Sequence, residues 1–252
     1  MIFDGHSDIF SDVRYKREAG ETQVLKNHHL DRLRKGGIGG ACFVIWADTY
    51  NGHAPKDEME AIVKGIKGEM AETKEFVLIH NVEELKAAEA AGKFAILLGI
   101  EGLAGIGEDL SKIDELYDLG ARHAMLTWNE ENALATGVKG DPNRGVTELG
   151  KQAIKKLQEK KMILDVSHIN EKSFWDVIDL ATGPILASHS NAKALASAAR
   201  NLTDDQLRAI RDTNGLVGLN AFGDFISDNK AEQDVDHLVN HATYIADKIG
   251  VE

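Results

Sequence analysis

The sequence predicts an α/β fold of the (β/α)8 barrel class, and three observations carry the prediction. Short apolar runs alternate with longer segments of helical period along the 252 residues, the pattern of strand-helix units built on a parallel sheet. The run from Phe94 to Ile100 is almost unbroken in hydrophobicity, as a strand buried on both faces requires. Polar residues repeatedly close these runs, and in a parallel barrel the strand C-termini share one rim.

Taken in order, the first strand is the apolar start Met1-Ile2-Phe3 leading into Asp4-Gly5-His6-Ser7-Asp8. Side chains alternate along a strand, so His6 and Asp8 are expected on one face. Arg14 to Asn27 is rich in charge and reads as a long loop, followed by a helix from His28 to Lys35 that stops at Gly36-Gly37. Gly40 to Ala47 is the second strand, and the next helix carries Glu58, Ile62, Ile66 and Met70 on one stripe. Leu78 and Ile79 lead into an Ala-rich helix, Val82 to Ala91. Phe94 to Ile100 is the third strand, Leu110 to Leu119 a helix, His123 to Trp128 the fourth strand, and Asn129 to Gly145 a polar loop. Thr147 to Lys161 is an amphipathic helix. Strands at Met162 to His168, Ile185 to His189 and Leu216 to Asn220 alternate with helices at Ser173 to Leu180, Leu202 to Arg211 and Val235 to Ile249. That makes seven units. The eighth strand of a closed barrel is expected beyond Gly250-Val251-Glu252, so residues 1–252 read as a single catalytic barrel domain, shorter than the natural gene product.

Composition narrows the function. With 43% hydrophobic and 28% charged residues the chain is ordinary globular protein able to bury a core. A net charge of -12 argues against nucleic acid and anionic membrane as partners, because phosphate binding needs clustered Lys and Arg. Cys42 is the only cysteine, so an internal disulfide and a thiolate metal cluster are excluded, and its apolar neighbours make it a buried, inert thiol. Neither a membrane span nor a secretion signal is read, and a cytoplasmic location is expected.

The strand ends carry the chemistry. His6 and Asp8, Glu101, His168, His189 and Asn220 close the first, third, fifth, sixth and seventh strands. Imidazole and carboxylate are the ligands that zinc accepts. Five such donors, His6, Asp8, Glu101, His168 and His189, exceed what one tetrahedral zinc with a water needs, which points to a pair of zinc ions, other divalent ions being alternatives, bridged by Glu101. The surplus positive charge would bring a bound water's pKa toward about 7, yielding a hydroxide nucleophile, and would stabilise a tetrahedral oxyanion. Of the remaining histidines, His123 reads as structural, and His28, His29, His53, His80, His237 and His241 as solvent-exposed.

Asp4-Gly5-His6-Ser7-Asp8, Gly99-Ile100-Glu101-Gly102, Asp165-Val166-Ser167-His168, Ser188-His189-Ser190 and Arg200-Asn201-Leu202 resemble, in order and spacing, the motifs of the membrane dipeptidase (renal dipeptidase) family of zinc hydrolases. The resemblance implies a binuclear zinc barrel that cleaves dipeptides, including some with a C-terminal D-residue. It makes His6, Asp8, Glu101, His168 and His189 the metal ligands, with Glu101 bridging, and Arg200 the substrate contact, a guanidinium being able to hold a carboxylate by two parallel bonds. Trp128, with Asn129 beside it, stands where many members have a substrate-binding histidine; both are assigned to substrate binding, Trp128 as an aromatic wall. The family's aspartate at the end of strand eight has no counterpart. The expected partner is a small dipeptide, with a homodimer as the assembly to look for. Rival readings are a lactonase, phosphotriesterase or deaminase on a similar barrel, disfavoured because no strand ends in the lysine that often bridges their metals, and a protein that binds metal or peptide without turnover.

Overall fold

The computed structural model describes residues 1–47 and 52–251, which form two compact units, residues 1–124 with 160–162 and residues 125–159 with the chain from 163 onward. The first unit is a parallel sheet with helices. Its strands are β1 (Ile2–Ser7), β2 (Ile38–Trp46), β3 (Phe76–Leu78), β4 (Phe94–Glu101) and β5 (Ala121–Met125). Helices α1 (Ile9–Glu18), α2 (Asp31–Lys35), α3 (Pro55–Glu72), α4 (Val82–Ala90) and α5 (Lys112–Leu119) connect them, with a π-helix at Leu25–Leu30 and a 3-10 turn at Ala104–Ile106.

The register runs β1 to β2 to β4, with Gly40 opposite Ala95 and Trp46 opposite Glu101. The other edge of β4 is shared: β3 pairs its first half, Phe76 opposite Phe94, and β5 its second, Gly99 opposite His123. β3 therefore answers to no strand expected from the sequence, in which Leu78 and Ile79 are only a lead-in. Three residues give too short a run to register as a strand by pattern, and it is the pairing with Phe94 to Ile96 that holds it.

The charged stretch Arg14 to Asn27 is corrected from loop to helix over its first part. α1 buries Phe10 and Val13 completely, and its two internal charges are neutralised against α3: Arg14 Nη2 meets Glu58 Oε2 at 3.1 Å, and Arg17 Nη1 meets Glu69 Oε2 at 3.1 Å. Charge here marks an interhelix contact and not solvent. Glu69 is fully buried and also accepts the Leu25 N–H at 2.8 Å and the Thr73 hydroxyl at 2.9 Å, so its oxygens are well supplied with donors. Phe10, Phe43, Phe94 and Phe76 form a chain of ring contacts at centroid distances of 5.4, 5.5 and 5.2 Å. Gly99 is required by its neighbours: a Cβ there would sit 2.6 Å from His123 Nδ1 and 2.7 Å from Cys42 Sγ. His123 and Cys42 are both buried, as expected of the Cys42 thiol from its apolar neighbours.

The second unit carries β6 (Ile163–Asp165), β7 (Ile185–Ala187) and β8 (Leu216–Val217), parallel and in sequence order, with α6 (Glu148–Glu159), α7 (Glu171–Leu180), α8 (Asp204–Asp212), α9 (Gly223–Ile226) and α10 (Val235–Ile249). The strands are shorter than the apolar runs suggest, although the Val166 and Gly218 N–H groups just past β6 and β8 still donate to the β7 carbonyls of Leu186 and Ala187, both at 2.8 Å. α7 begins at the Asn170 side chain, which accepts the Ser173 N–H, and α8 at a Thr203–Gln206 capping box. Eight strands are thus present among the described residues, the seven expected and β3. Glu252, the last residue of the segment expected to open a further strand, lies outside the described residues.

His241 is a second correction. On α10 it is completely buried, not exposed; its Nδ1 accepts the Ala192 N–H at 3.1 Å and its Nε2 donates to the Ile226 carbonyl at 2.9 Å. The polar pattern of the helix hides it, since a histidine satisfied on both sides packs as readily as an apolar side chain. Replacing His241 by Leu strands two backbone groups. The expected cost is about 3 kcal/mol of unfolding free energy, measured by urea denaturation.

Candidate functional site

In the first unit β1 delivers His6 and the last residue of β4 delivers Glu101. Asp8 lies one residue beyond β1, at the N-cap of α1, so its place beside His6 comes from the strand-to-helix turn and not from strand alternation. An aspartate there ordinarily accepts a helix N–H; this one makes no capping bond, and its carboxylate instead faces His6, Oδ1 to Nε2 at 3.6 Å. Glu101 Oε2 lies 3.4 Å from the same nitrogen. Donor atoms on a common ion at about 2.1 Å with tetrahedral angles stand roughly 3.4 Å apart, so these separations suit ligands better than direct hydrogen bonds. Glu101 is buried while the Asp8 side chain reaches solvent. Burial works against the charged form of the His6 ring, yet the Asp8 and Glu101 carboxylates outweigh it and raise its pKa to about 10. Imidazole and carboxylate donors of this kind are able to ligate a divalent cation.

In the second unit His168 and His189 face each other, Nε2 to Nε2 at 2.8 Å, both buried. The outer nitrogens are occupied: His168 Nδ1 meets Asn129 Oδ1 at 2.8 Å, and His189 Nδ1 meets Ser188 Oγ at 2.8 Å. An amide oxygen only accepts, so His168 carries its proton on Nδ1 and turns a lone pair inward at Nε2, the tautomer a ligand imidazole needs. Asn129, expected to touch substrate, orients His168 through its Oδ1.

Several supports escape a reading of the sequence. Asp165, the last residue of β6, is buried and accepts the Ser167 N–H at 2.8 Å and the Ser188 N–H at 3.3 Å, while Ser167 Oγ accepts the His189 N–H at 3.3 Å. Together they lock the residues after β6 and β7. A carboxylate inside the apolar run Met162 to Val166 is the signal that could have found Asp165. His168 has φ of +75°, a left-handed conformation that costs a non-glycine residue about 1 kcal/mol or more. Nothing in local sequence announces it; the interlocked turn imposes it.

Arg200 is buried, with Nη2 donating to the His189 carbonyl at 3.2 Å and Nη1 to Ser190 Oγ at 3.4 Å, while Asn220 Nδ2 reaches the His189 carbonyl at 3.4 Å. Trp128 is half-buried and lies three residues past β5, not at its end, with its ring 6.0 Å from that of His168. The loop from 129 to 146 is well bonded: Arg144 donates to the carbonyls of Ala135 and Asn132, and Asn132 Oδ1 accepts the Leu134 N–H.

A parallel α/β chain with imidazoles and carboxylates at its strand ends has the donor chemistry of a metal-dependent hydrolase. The family model described as membrane dipeptidase (Peptidase family M19) matches residues 1–252, and the chain belongs to that family. A protein of Acinetobacter calcoaceticus described as an uncharacterized protein in the PQQ-III 3' region is 30% identical, aligned over 98% of this chain and 90% of its own length. The crystal structure of a metallo peptidase from Rhodobacter sphaeroides, liganded with a phosphinate mimic of the dipeptide L-Ala-D-Ala, superposes with a TM-score of 0.88 at 25% identity over 99% of this chain and 82% of that one. A probable dipeptidase, PvdM, from Pseudomonas aeruginosa shares the fold, with a TM-score of 0.80 at 21% identity over 88% of this chain and 74% of its own. The α/β fold class read from the sequence is thus the one shared with solved dipeptidases. No helix among the described residues is long and apolar enough to cross a membrane.

The strain at His168 is open to a direct measurement. His168→Gly and His168→Ala remove the same ring, but only alanine keeps a Cβ in the left-handed region. The glycine variant is expected to be the more stable by about 1 kcal/mol in thermal or urea unfolding, and equal stabilities would refute the assignment.

Proposed function

We propose that this protein is a metal-dependent dipeptidase in which His6, Asp8, Glu101, His168 and His189 together hold two zinc ions, with Glu101 as the shared ligand. What supports the reading most is the pairing of His168 and His189, whose Nε2 atoms meet at 2.8 Å while Asn129 and Ser188 hold the outer nitrogens. The carboxylate pair around His6 supports it from the first unit. When bound, two divalent ions supply a water acidic enough to attack at neutral pH and polarise the peptide carbonyl.

The residues of this chain set the rest. Glu101 and Asp8 bring two negative charges to the ligand set, leaving a surplus of positive charge for a developing oxyanion. Asn129, Ser188 and Asp165 hold the imidazoles in place, which preserves geometry through turnover. Arg200, in the wall beside His189, holds the carboxylate end of the dipeptide, and Trp128 packs against its side chain. Acceptance of a C-terminal D-residue draws on the L-Ala-D-Ala mimic bound by the Rhodobacter sphaeroides relative.

The deciding experiment is hydrolysis of a panel of L,L- and L,D-dipeptides by zinc-loaded protein, with and without a chelator. Cleavage that the chelator abolishes and zinc restores is expected; zinc-replete protein inert toward every dipeptide would refute the reading. Asn129→Ala tests the orienting bond independently. It should weaken zinc affinity about 10- to 100-fold in a competition titration with a chromophoric chelator, and an unchanged affinity would leave Asn129 without that role.

A further inference from the structure

Next to the paired histidines, the second unit holds a lysine that has no counter-ion among the described residues. Lys139 is exposed, its Nζ stands 5.6 Å from the centroid of the Trp128 ring, and that ring leans on His168. It forms no ion pair there, although the chain has 41 acidic residues against 29 basic ones. The acids of its own loop are engaged elsewhere. Glu131 pairs with Arg144 at 3.5 Å, and Asp141 Oδ1 accepts the Asn143 N–H at 2.9 Å.

The position of Lys139 is built, not incidental to a loose loop. The Val138 N–H donates to the His168 carbonyl and the Lys139 N–H to the Asn129 carbonyl, both at 2.9 Å, and the Gly140 N–H closes the turn on Gly137 at 3.0 Å. Gly137 is indispensable to this approach, since a Cβ there would fall 2.3 Å from the Trp128 carbonyl. The lysine backbone is therefore bonded to the residue that orients His168, and its neighbour to His168 itself. Aromatic and ammonium together offer a face that accepts an anion at one edge and an apolar stem along the ring.

We infer that Lys139, standing over Trp128, selects dipeptides with an acidic side chain. The inference rests on the dipeptidase reading and adds a substrate class to it. Arg200 is assigned the terminal carboxylate, which every dipeptide has; the additional cation discriminates only if a second carboxylate is present. The chain's overall negative charge is screened beyond about 8 Å at physiological salt, so a contact cation decides the preference locally.

Ala-Glu and Ala-Gln are nearly isosteric and share the terminal carboxylate, which isolates the side-chain charge. The ratio of their kcat/KM values is expected to fall about tenfold in Lys139→Ala, the scale of one charge-assisted hydrogen bond, and Lys139→Glu should turn the preference toward Ala-Lys. Ratios equal in the wild type and both variants would overturn the inference. If zinc-loaded wild type cleaves none of these peptides, the dipeptidase reading fails, and Lys139 is judged by binding instead. The fluorescence signal that Trp128→Phe removes should then respond to Ala-Glu at about tenfold lower concentration than to Ala-Gln, with the difference lost in Lys139→Ala; identical titrations would overturn the assignment.

Discussion

An imidazole can point a lone pair at a cation only if its other nitrogen keeps a proton and a partner to receive it. That constraint governs the paired histidines, and much of the surrounding loop structure serves it. Asn129 accepts the Nδ1–H of His168, Ser188 meets the outer nitrogen of His189, and Asp165 holds the turns from which both rings project. Without these partners the two rings, 2.8 Å apart at Nε2, would be free to rotate. The strained backbone of His168 belongs to the same arrangement, since a relaxed φ would turn the ring away from its neighbour.

The carboxylate side of the chemistry obeys a different rule. Glu101 is buried at the end of β4, and Asp8 leaves a helix cap unserved in order to face His6. Burying carboxylates near one another is costly unless a cation is close, and His6, pushed toward its protonated form, meets part of that demand. The scaffold resists the resulting stress by rigidity: α1, which follows Asp8 directly, is clamped to α3 through Arg14–Glu58 and Arg17–Glu69.

Legibility in the sequence follows the kind of physics involved. Repeating apolar runs and single polar residues at their ends are visible to pattern, so the α/β class and the candidates His6, Glu101, His168 and His189 can be read directly. Features made by partners distant in sequence cannot. β3 exists through its pairing with β4, α1 through ion pairs made some 40 to 50 residues away, and the burial of His241 through two backbone groups on other segments. Asn129 is recognisable as a site residue, but whether it faces a ligand or a histidine depends on a turn whose path no local signal encodes.

The loop between β5 and α6 is largely self-supporting. Arg144, Asn132 and Thr147 bond it to itself, and a few backbone contacts, Val138 to His168 and Asn170 to Thr136 among them, tie it to the segment after β6. It behaves as an insert with its own internal framework. Residues on its outer turn can therefore vary while the histidines beneath stay in register, so a substrate preference set by this loop, as proposed for Lys139, would be able to drift separately from the histidine pair.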